Sequence, residues 1–440
     1  MKQILILGCG RSSSTLIQYL LKHSNEFNWH IRVGDADENL ASEKIYGFSN
    51  ASSIKFDIFD AVVKEEEINK ADLVISMLPA KFHIEVLKAC IKYRKNMLSA
   101  SYISEEIKAL EKDINDQGIL VLKECGLDPG LDHMSAMQII DEIKDQGGEI
   151  TSFRSYTGGL VAPEYDNNPW SYKFSWNPRN VILAGQGTAS FISNKQYKYI
   201  PYHKLFSRTD KVTIAGWGDF EGYANRDSLS YRQVYGLEKV ATMLRGTLRK
   251  PGFCKAWDVF VQLGMTDDSY KMKGSELLTN RSFLNAFLPY DDHMSIEEKF
   301  SEYWGMSLDS KELEMFRWLG LFEDVPVSLE NASPAMILQK ILESKWVLEP
   351  HDKDMIIMQH QFEYIIGKTP KKMVSDLVVV GEDTLNTAMS KTVGLPLAIV
   401  SRLLLLDKLT LKGLHIPTAK EVYEPVMLEL KNLGIAFNHK

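Results

Sequence analysis

Ile4-Leu5-Ile6-Leu7-Gly8-Cys9-Gly10-Arg11-Ser12-Ser13 decides the fold through the order of its residue types. Four consecutive apolar side chains predict a strand buried on both faces. The glycines predict a tight turn, and Leu16, Ile17, Tyr19, Leu20 and Leu21 then have the spacing of an amphipathic helix. A strand turning directly into a helix gathers unpaired amides and the positive end of the helix dipole at one point, which suits an anionic pyrophosphate. Gly8 permits the turn and Gly10 lets the backbone approach the phosphates, with Arg11, Ser12 and Ser13 as further expected cofactor contacts. Ser13 stands where GxGxxG usually has its third glycine or alanine.

A second strand, Trp29 to Val33, runs into Gly34-Asp35-Ala36-Asp37, placing an acid where an adenosine ribose would lie. A carboxylate there prefers hydroxyls to a 2′-phosphate. NAD is therefore expected, with NADP as the other possibility, and Asp35 ahead of Asp37 as the ribose acceptor. A third strand, Asp72 to Met77, exits at Leu78-Pro79 toward the nicotinamide side. The helix Phe82 to Tyr93, strand Asn96 to Ser99, helix Ser104 to Gln117 and strand Ile119 to Leu122 continue the alternation. The expected fold class is α/β: a Rossmann-type doubly wound parallel sheet plus a second α+β substrate domain with a helical insertion.

The 440 residues allow two or three domains, and the balance of 45% hydrophobic and 25% charged residues is that of a globular chain. No uninterrupted apolar run reaches the roughly 18 residues of a membrane helix, and Met1-Lys2-Gln3 leads straight into a strand without a signal-like core. A cytoplasmic, non-exported protein without membrane partners is expected. Four cysteines without CxxC spacing predict neither a disulfide framework nor structural zinc, and no histidine spacing implies a metal. The net charge of -7 argues against a broad nucleic-acid surface.

Local basic clusters stand out against that charge. Between Tyr223 and Phe253, Arg226, Arg232, Arg245 and Arg249 lie among Asn225, Tyr231, Tyr235, Gly246 and Thr247. Planar guanidinium forks match carboxylates, so converging arginines predict a substrate with more than one acid group. Exposed or ion-paired arginines are the alternative.

Short unusual strings occupy the places where chemistry would sit. Ser101-Tyr102 follows the fourth expected strand and Gly126-Leu127-Asp128-Pro129-Gly130-Leu131-Asp132-His133 the fifth. Then come Ser155-Tyr156-Thr157-Gly158-Gly159-Leu160, Ala162-Pro163-Glu164, the segment Asn168 to Trp176, Asn225-Arg226-Asp227-Ser228, Leu244-Arg245-Gly246-Thr247-Leu248-Arg249 and Lys391-Thr392-Val393-Gly394-Leu395-Pro396. In this order the chain resembles the glutamate-forming saccharopine dehydrogenase (saccharopine reductase) family, most weakly over residues 260 to 350. It departs at Thr157, where relatives often carry cysteine. A hydroxyl there can donate a hydrogen bond but does not titrate near neutral pH.

The resemblance implies saccharopine, an amine with three carboxylates, as the small-molecule partner. Hydride would leave the lysine ε-carbon for the nicotinamide, and water would cleave the resulting imine to glutamate and α-aminoadipate semialdehyde. Asp128 is the leading acid-base candidate and Tyr102 its companion, although Asp128 could instead hold the Pro129-Gly130 turn and Tyr102 could be a core tyrosine. Leu127, Asp128 and Pro129, with Leu78 and Pro79, are expected against the cofactor. Ser101, Tyr102, Asp128, Thr157, Gly158, Gly159, Phe174, Arg226, Arg245, Gly246 and Thr247 are expected against the substrate, Arg226 foremost. Arg232 and Arg249 are expected in framework ion pairs, and His133 as a capping or packed histidine.

Residues 1–128 and 391–440 are expected to form the dinucleotide domain, 129–254 and 351–390 the substrate and dimerisation domain, and 255–350 a helical insertion. A homodimer accompanies the resemblance. Rival readings are a lysine 6-dehydrogenase, a carboxynorspermidine-type enzyme, or a nucleotide sensor without catalysis.

Overall fold

The Ile4–Leu7 run forms an inner strand of a parallel sheet, fully buried as its apolar sequence requires. The computed structural model describes residues 1–184 and 186–440. In chain order, the first part contains β1 (Lys2–Leu7), α1 (Ser14–Ser24), β2 (Trp29–Asp35), α2 (Glu38–Lys44), β3 (Ala51–Lys55), α3 (Ala61–Lys70), β4 (Leu73–Ser76), α4 (His83–Tyr93), β5 (Asn96–Ser99), α5 (Glu105–Lys108), α6 (Glu111–Gln117), β6 (Leu120–Leu122) and α7 (Leu131–Asp145). The middle contains β7 (Gly148–Val161), α8 (Pro178–Ile182), β8 (Ala189–Ser193), β9 (Gln196–Ile200), β10 (Thr209–Ile214), β11 (Gly218–Ala224), α9 (Tyr231–Val234), β12 (Thr242–Arg249), α10 (Phe253–Leu263), α11 (Asn280–Asn285), α12 (Ile296–Trp304), α13 (Lys311–Trp318), α14 (Pro334–Lys345) and β13 (Asp354–Ile366). The last part contains β14 (Thr369–Val380), α15 (Ala388–Leu405), β15 (Gly413–His415), α16 (Lys420–Asn432) and β16 (Asn438–His439).

The chain divides into two compact units. The first comprises Met1–Ile150, Val234–Leu237 and Glu363–Lys440. Its seven strands are all parallel in the order β15-β6-β5-β4-β1-β2-β3, the doubly wound arrangement in which the strand order reverses at β1 and β4. The strand expected third in sequence is the fourth. β3, Ala-Ser-Ser-Ile-Lys, lies at the sheet edge half-buried and carries no apolar run to announce it. β15, only three residues long, closes the opposite edge. Among the described residues one helix, α15, has the length and apolarity of a membrane span, with a mean hydropathy of 1.4; 83% of it is buried, and it packs as a core helix on α1 and α16.

The second unit comprises Thr151–Gln233 and Glu238–Phe362. Its strands run β10-β11-β12-β7-β13, with β12 parallel to β7 and antiparallel to β11. The β8–β9 hairpin joins β12 at Met243. Helices α10 to α14 bring together an aromatic core in which Trp170 stacks on Phe260 at 5.6 Å and Phe253 on Trp257 at 5.7 Å, with Trp346 at 5.4 Å from Trp170. Residues 255–350, expected as a separate insertion, lie within this unit because that aromatic core joins their helices to the Trp170–Phe174 segment. The first unit reaches Ile150 rather than residue 128, since α7 packs on α16, and its late segment begins at Glu363 rather than 391.

Candidate active site

The glycine turn is fixed by crowding on one side and open space on the other. Gly8 has φ +91°, and a Cβ there would lie 2.9 Å from the Met77 carbonyl carbon just past β4, so only glycine fits. A Cβ on Gly10 would meet nothing within 4 Å, leaving room for a pyrophosphate against the backbone. Ser13 is buried; its amide and hydroxyl both donate to Gly10 O, at 3.1 and 2.8 Å, which tightens the turn before α1. Close packing on the start of α1 comes from elsewhere in the chain. A Cβ on Gly394 of α15 would lie 2.7 Å from Leu16 N, and Ser390 Oγ accepts from Thr15 N at 2.9 Å.

Asp35 ends β2 with its carboxylate turned back to the turn, Oδ2 accepting from Cys9 N at 2.8 Å and Oδ1 from Asp37 N at 3.1 Å. A carboxylate has further lone pairs for ribose hydroxyls. Asp37 caps α2 through Asn39 N. Lys44, at the end of α2, donates to Gly10 O at 3.0 Å and Ser14 Oγ at 2.7 Å, and burial lowers its pKa. Sequence reasoning passed over Lys44, which no motif marks. The Cys9 thiol is pushed up to about 12 by burial and then by Asp35. Leu78 and Pro79 follow β4, beside Gly8.

At the carboxyl ends of β5 and β6 the two candidate catalytic residues meet: the Tyr102 phenol donates to Asp128 Oδ1 at 3.2 Å. Both are half-buried, whereas Leu127 and Pro129 are buried. The Gly126–Gly130 turn closes on itself, with Gly126 N donating to Pro129 O at 3.0 Å and Leu131 N to Gly126 O at 2.8 Å. Gly130, at φ +147°, has no room for a Cβ against Gly126. Backbone bonds and the Asp132 carboxylate, which accepts from Gly130 N at 2.6 Å, thus hold the turn, and the Asp128 side chain accepts from Tyr102. His133 lies in the first turn of α7 as a packed histidine, bridging Glu124 Oε2 (3.0 Å) and the Tyr235 hydroxyl (2.5 Å).

Ser101 belongs to a buried chain that the sequence did not reveal. His83 Nε2 lies 2.8 Å from Ser101 Oγ and His83 Nδ1 2.8 Å from Ser76 Oγ, while Lys123 Nζ donates to Ser99 Oγ at 3.2 Å. Burial, followed by the Lys123 charge, holds His83 well below its usual pKa, so the ring is neutral. Burial lowers Lys123 to about 7.

In the second unit, β12 presents Arg245, Thr247 and Arg249 on one face, in register with Ser155 and Thr157 of β7 and with Tyr223 and Glu221 of β11. Arg245 is buried, its guanidinium 4.3 Å from the centre of the Tyr231 ring. Arg226 follows β11 at φ +42° and is exposed. Gly158 and Gly246 serve packing on the opposite face, where a Cβ would strike Leu248 and the Tyr156 ring at 2.9 and 2.6 Å; only their backbones are available to a ligand. Gly159 continues β7 beside them, and Phe174 packs on Trp346 at 5.3 Å. Among the described residues, Arg232 and Arg249 form no framework ion pairs. Arg232 donates to Glu238 O and the Tyr197 hydroxyl and Arg249 to Leu248 O, while Glu221, opposite Arg249 in register, accepts from Gly252 N and Cys254 N instead. Tyr235 belongs with His133 in the first unit, not with the arginines. Among the described residues no cluster of metal-ligating side chains occurs.

Two family models match the chain: the saccharopine dehydrogenase NADP binding domain over residues 4–122 and the saccharopine dehydrogenase C-terminal domain over 126–435. The mitochondrial alpha-aminoadipic semialdehyde synthase of Rattus norvegicus is 38% identical over 99% of the chain, which spans only 47% of that protein, about half the length of the mammalian relatives. The NADP(+), L-glutamate-forming saccharopine dehydrogenase of Saccharomyces cerevisiae is 32% identical over 100% of the chain and 99% of its own length. The solved apo structure of saccharopine dehydrogenase (L-Glu forming) from the same yeast has a TM-score of 0.88 at 30% identity, covering 100% of this chain and 99% of that one.

Proposed function

Because the chain belongs to the saccharopine dehydrogenase family, we propose that it oxidises saccharopine in the presence of water to L-glutamate and α-aminoadipate semialdehyde. One nicotinamide dinucleotide is reduced and one proton released per turnover. The observation that carries this reading is the Tyr102–Asp128 pair at the carboxyl ends of β5 and β6, on the same sheet as an open glycine turn. The dinucleotide, when bound, takes up the hydride. The turn from Gly8 to Ser13 would hold its pyrophosphate and Asp35 its adenosine ribose.

The chain's own work is to position and to move protons. The substrate's secondary amine must lose its proton before hydride leaves the ε-carbon, and water must lose one while adding to the imine carbon. Asp128 is suited to accept these protons because its carboxylate is fixed by the Tyr102 phenol, which can donate in turn. Ser101 and Tyr102 orient the amine, and Arg226, Arg245, Thr157 and Thr247 hold the acid groups.

We further propose NAD as the preferred cofactor, although the fungal relatives are named for NADP(+), since Asp35 places negative charge where a 2′-phosphate would sit. The cytoplasm is the proposed location, supported by four buried, unpaired cysteines, and a homodimer the proposed assembly, to be checked by light scattering.

The test is to mix the full chain with saccharopine and either cofactor and follow reduced nicotinamide and released glutamate together. Glutamate and reduced cofactor appearing in equal amounts is the expected result; tight dinucleotide binding without turnover would instead favour a sensor. In the same assay Asp35→Ala should weaken NAD more than NADP, and an equal loss would remove Asp35 from the ribose site.

A further inference from the structure

Arg249 lies on the same face of β12 as Arg245 and Thr247, yet it retains only 4% of its surface. Three rings enclose its guanidinium: Tyr172 at 5.2 Å, Phe253 at 5.4 Å and Tyr223 at 5.9 Å. Rings attract a cation but do not satisfy a fork of five N–H donors. Among the described residues that fork makes one hydrogen bond, from Nη1 to Leu248 O at 2.9 Å, and Nε, itself buried, has no partner. The acid directly opposite in register, Glu221, is turned away. Its two oxygens accept from Gly252 N at 2.9 Å and Cys254 N at 3.1 Å, at the start of α10. Among the described residues no carboxylate pairs with Arg249. A buried cation left without counter-charge is costly, so folds pair such groups or leave them to a ligand.

A second unmatched group sits beside it. Thr157 faces Thr247 across the β7–β12 register, diagonal to Arg249 on the same face, is 6% exposed, and has a buried hydroxyl without a partner among the described residues. We propose that Arg249 is a carboxylate subsite, its guanidinium taking one acid group of the substrate with the Thr157 hydroxyl as a second donor. This rests on the multi-acid substrate assigned above, and it gives Arg249 a binding role in place of a framework one. The subsite is charge-assisted and forked, so it favours a planar carboxylate over a halide or a hydroxyl.

The test uses the full chain and two probes. Glutarate, a dicarboxylate that is not oxidised, is titrated by tryptophan fluorescence, since Trp257 and Trp346 share the aromatic core that holds Phe253. Saccharopine supplies the KM. Arg249→Met is expected to weaken glutarate and raise the saccharopine KM about tenfold or more, with dinucleotide affinity unchanged. Arg249→Lys should recover part of the loss, and Thr157→Val should weaken both a few-fold. A folded Arg249→Met with wild-type glutarate affinity and KM overturns the proposal, as does a wild-type chain that binds no glutarate. Should Arg249→Met not fold, Arg249→Lys and Thr157→Val decide in the same way, unchanged values in both being fatal. A wild-type chain that binds glutarate through Arg249 but never oxidises saccharopine would sink the proposed reaction and leave the subsite standing.

Discussion

Lys123 is a lysine with none of its surface exposed, and its side chain donates to Ser99 Oγ. Its pKa falls from 10.5 to about 7 because burial penalises the charged form more than the nearby Glu124 charge restores it. Below pH 7 both folded and unfolded chains hold this proton, so the penalty is fully present. Between pH 7 and about 10.5 the unfolded chain binds more protons, and stability rises with pH; above that range the penalty is gone. A gap of this size is on the order of several kcal/mol. Lys123→Met should therefore stabilise the protein most near pH 6, with the gain in denaturation midpoint shrinking toward pH 10. A gain that is the same at every pH would show that Lys123 is not buried as a suppressed cation. Nothing in Val121-Leu122-Lys123-Glu124 announced this, since burial of one lysine depends on what the neighbouring strands place over it. That Asp128 and Tyr102 meet, by contrast, follows from position, because both fall just past neighbouring strands at the carboxyl end of the sheet.

At the scale of elements, legibility followed hydrophobic pattern. β1 was recognisable from its unbroken apolar run and β2 from the alternation of Trp29, Ile31 and Val33. β3 was not, being polar at a sheet edge. β12 was not either, because Arg245 and Arg249 occupy buried positions where a strand pattern calls for apolar residues. The glycine of Lys391-Thr392-Val393-Gly394 was seen only as part of a resemblance; its physical reason is the approach of α15 to α1. With a Cβ 2.7 Å from Leu16 N, Gly394→Ala must push the two helices apart, at a cost of about 1–3 kcal/mol. Since α1 carries the glycine turn at its start, the same variant should lose dinucleotide affinity several-fold. A melt showing lower stability but full NAD affinity would mean that the turn is held independently of α15.

Across the whole molecule the sequence indicated a dinucleotide unit and a second mixed unit, with the change expected at residue 128 and found after Ile150. Helix α7 reads equally well as the last helix of one or the first of the next, and only its packing on α16 assigns it. The cysteines supply a probe of both units. Cys9, Cys90 and Cys125 lie in the first and Cys254 in the second; all four are buried and unpaired. Burial raises every one of these thiols, Cys9 to about 12 and the others further, so almost no reactive thiolate exists at neutral pH. The native chain should therefore react with none of its four thiols on the timescale of a thiol in a denatured control, and each should become reactive only as its own unit opens. A nicotinamide dinucleotide that binds the folded first unit should shift modification of Cys9, Cys90 and Cys125 to higher urea. Site-resolved mass spectrometry after a brief alkylation pulse would read this, and rapid native labelling of Cys9 would contradict the buried turn on which the cofactor site depends.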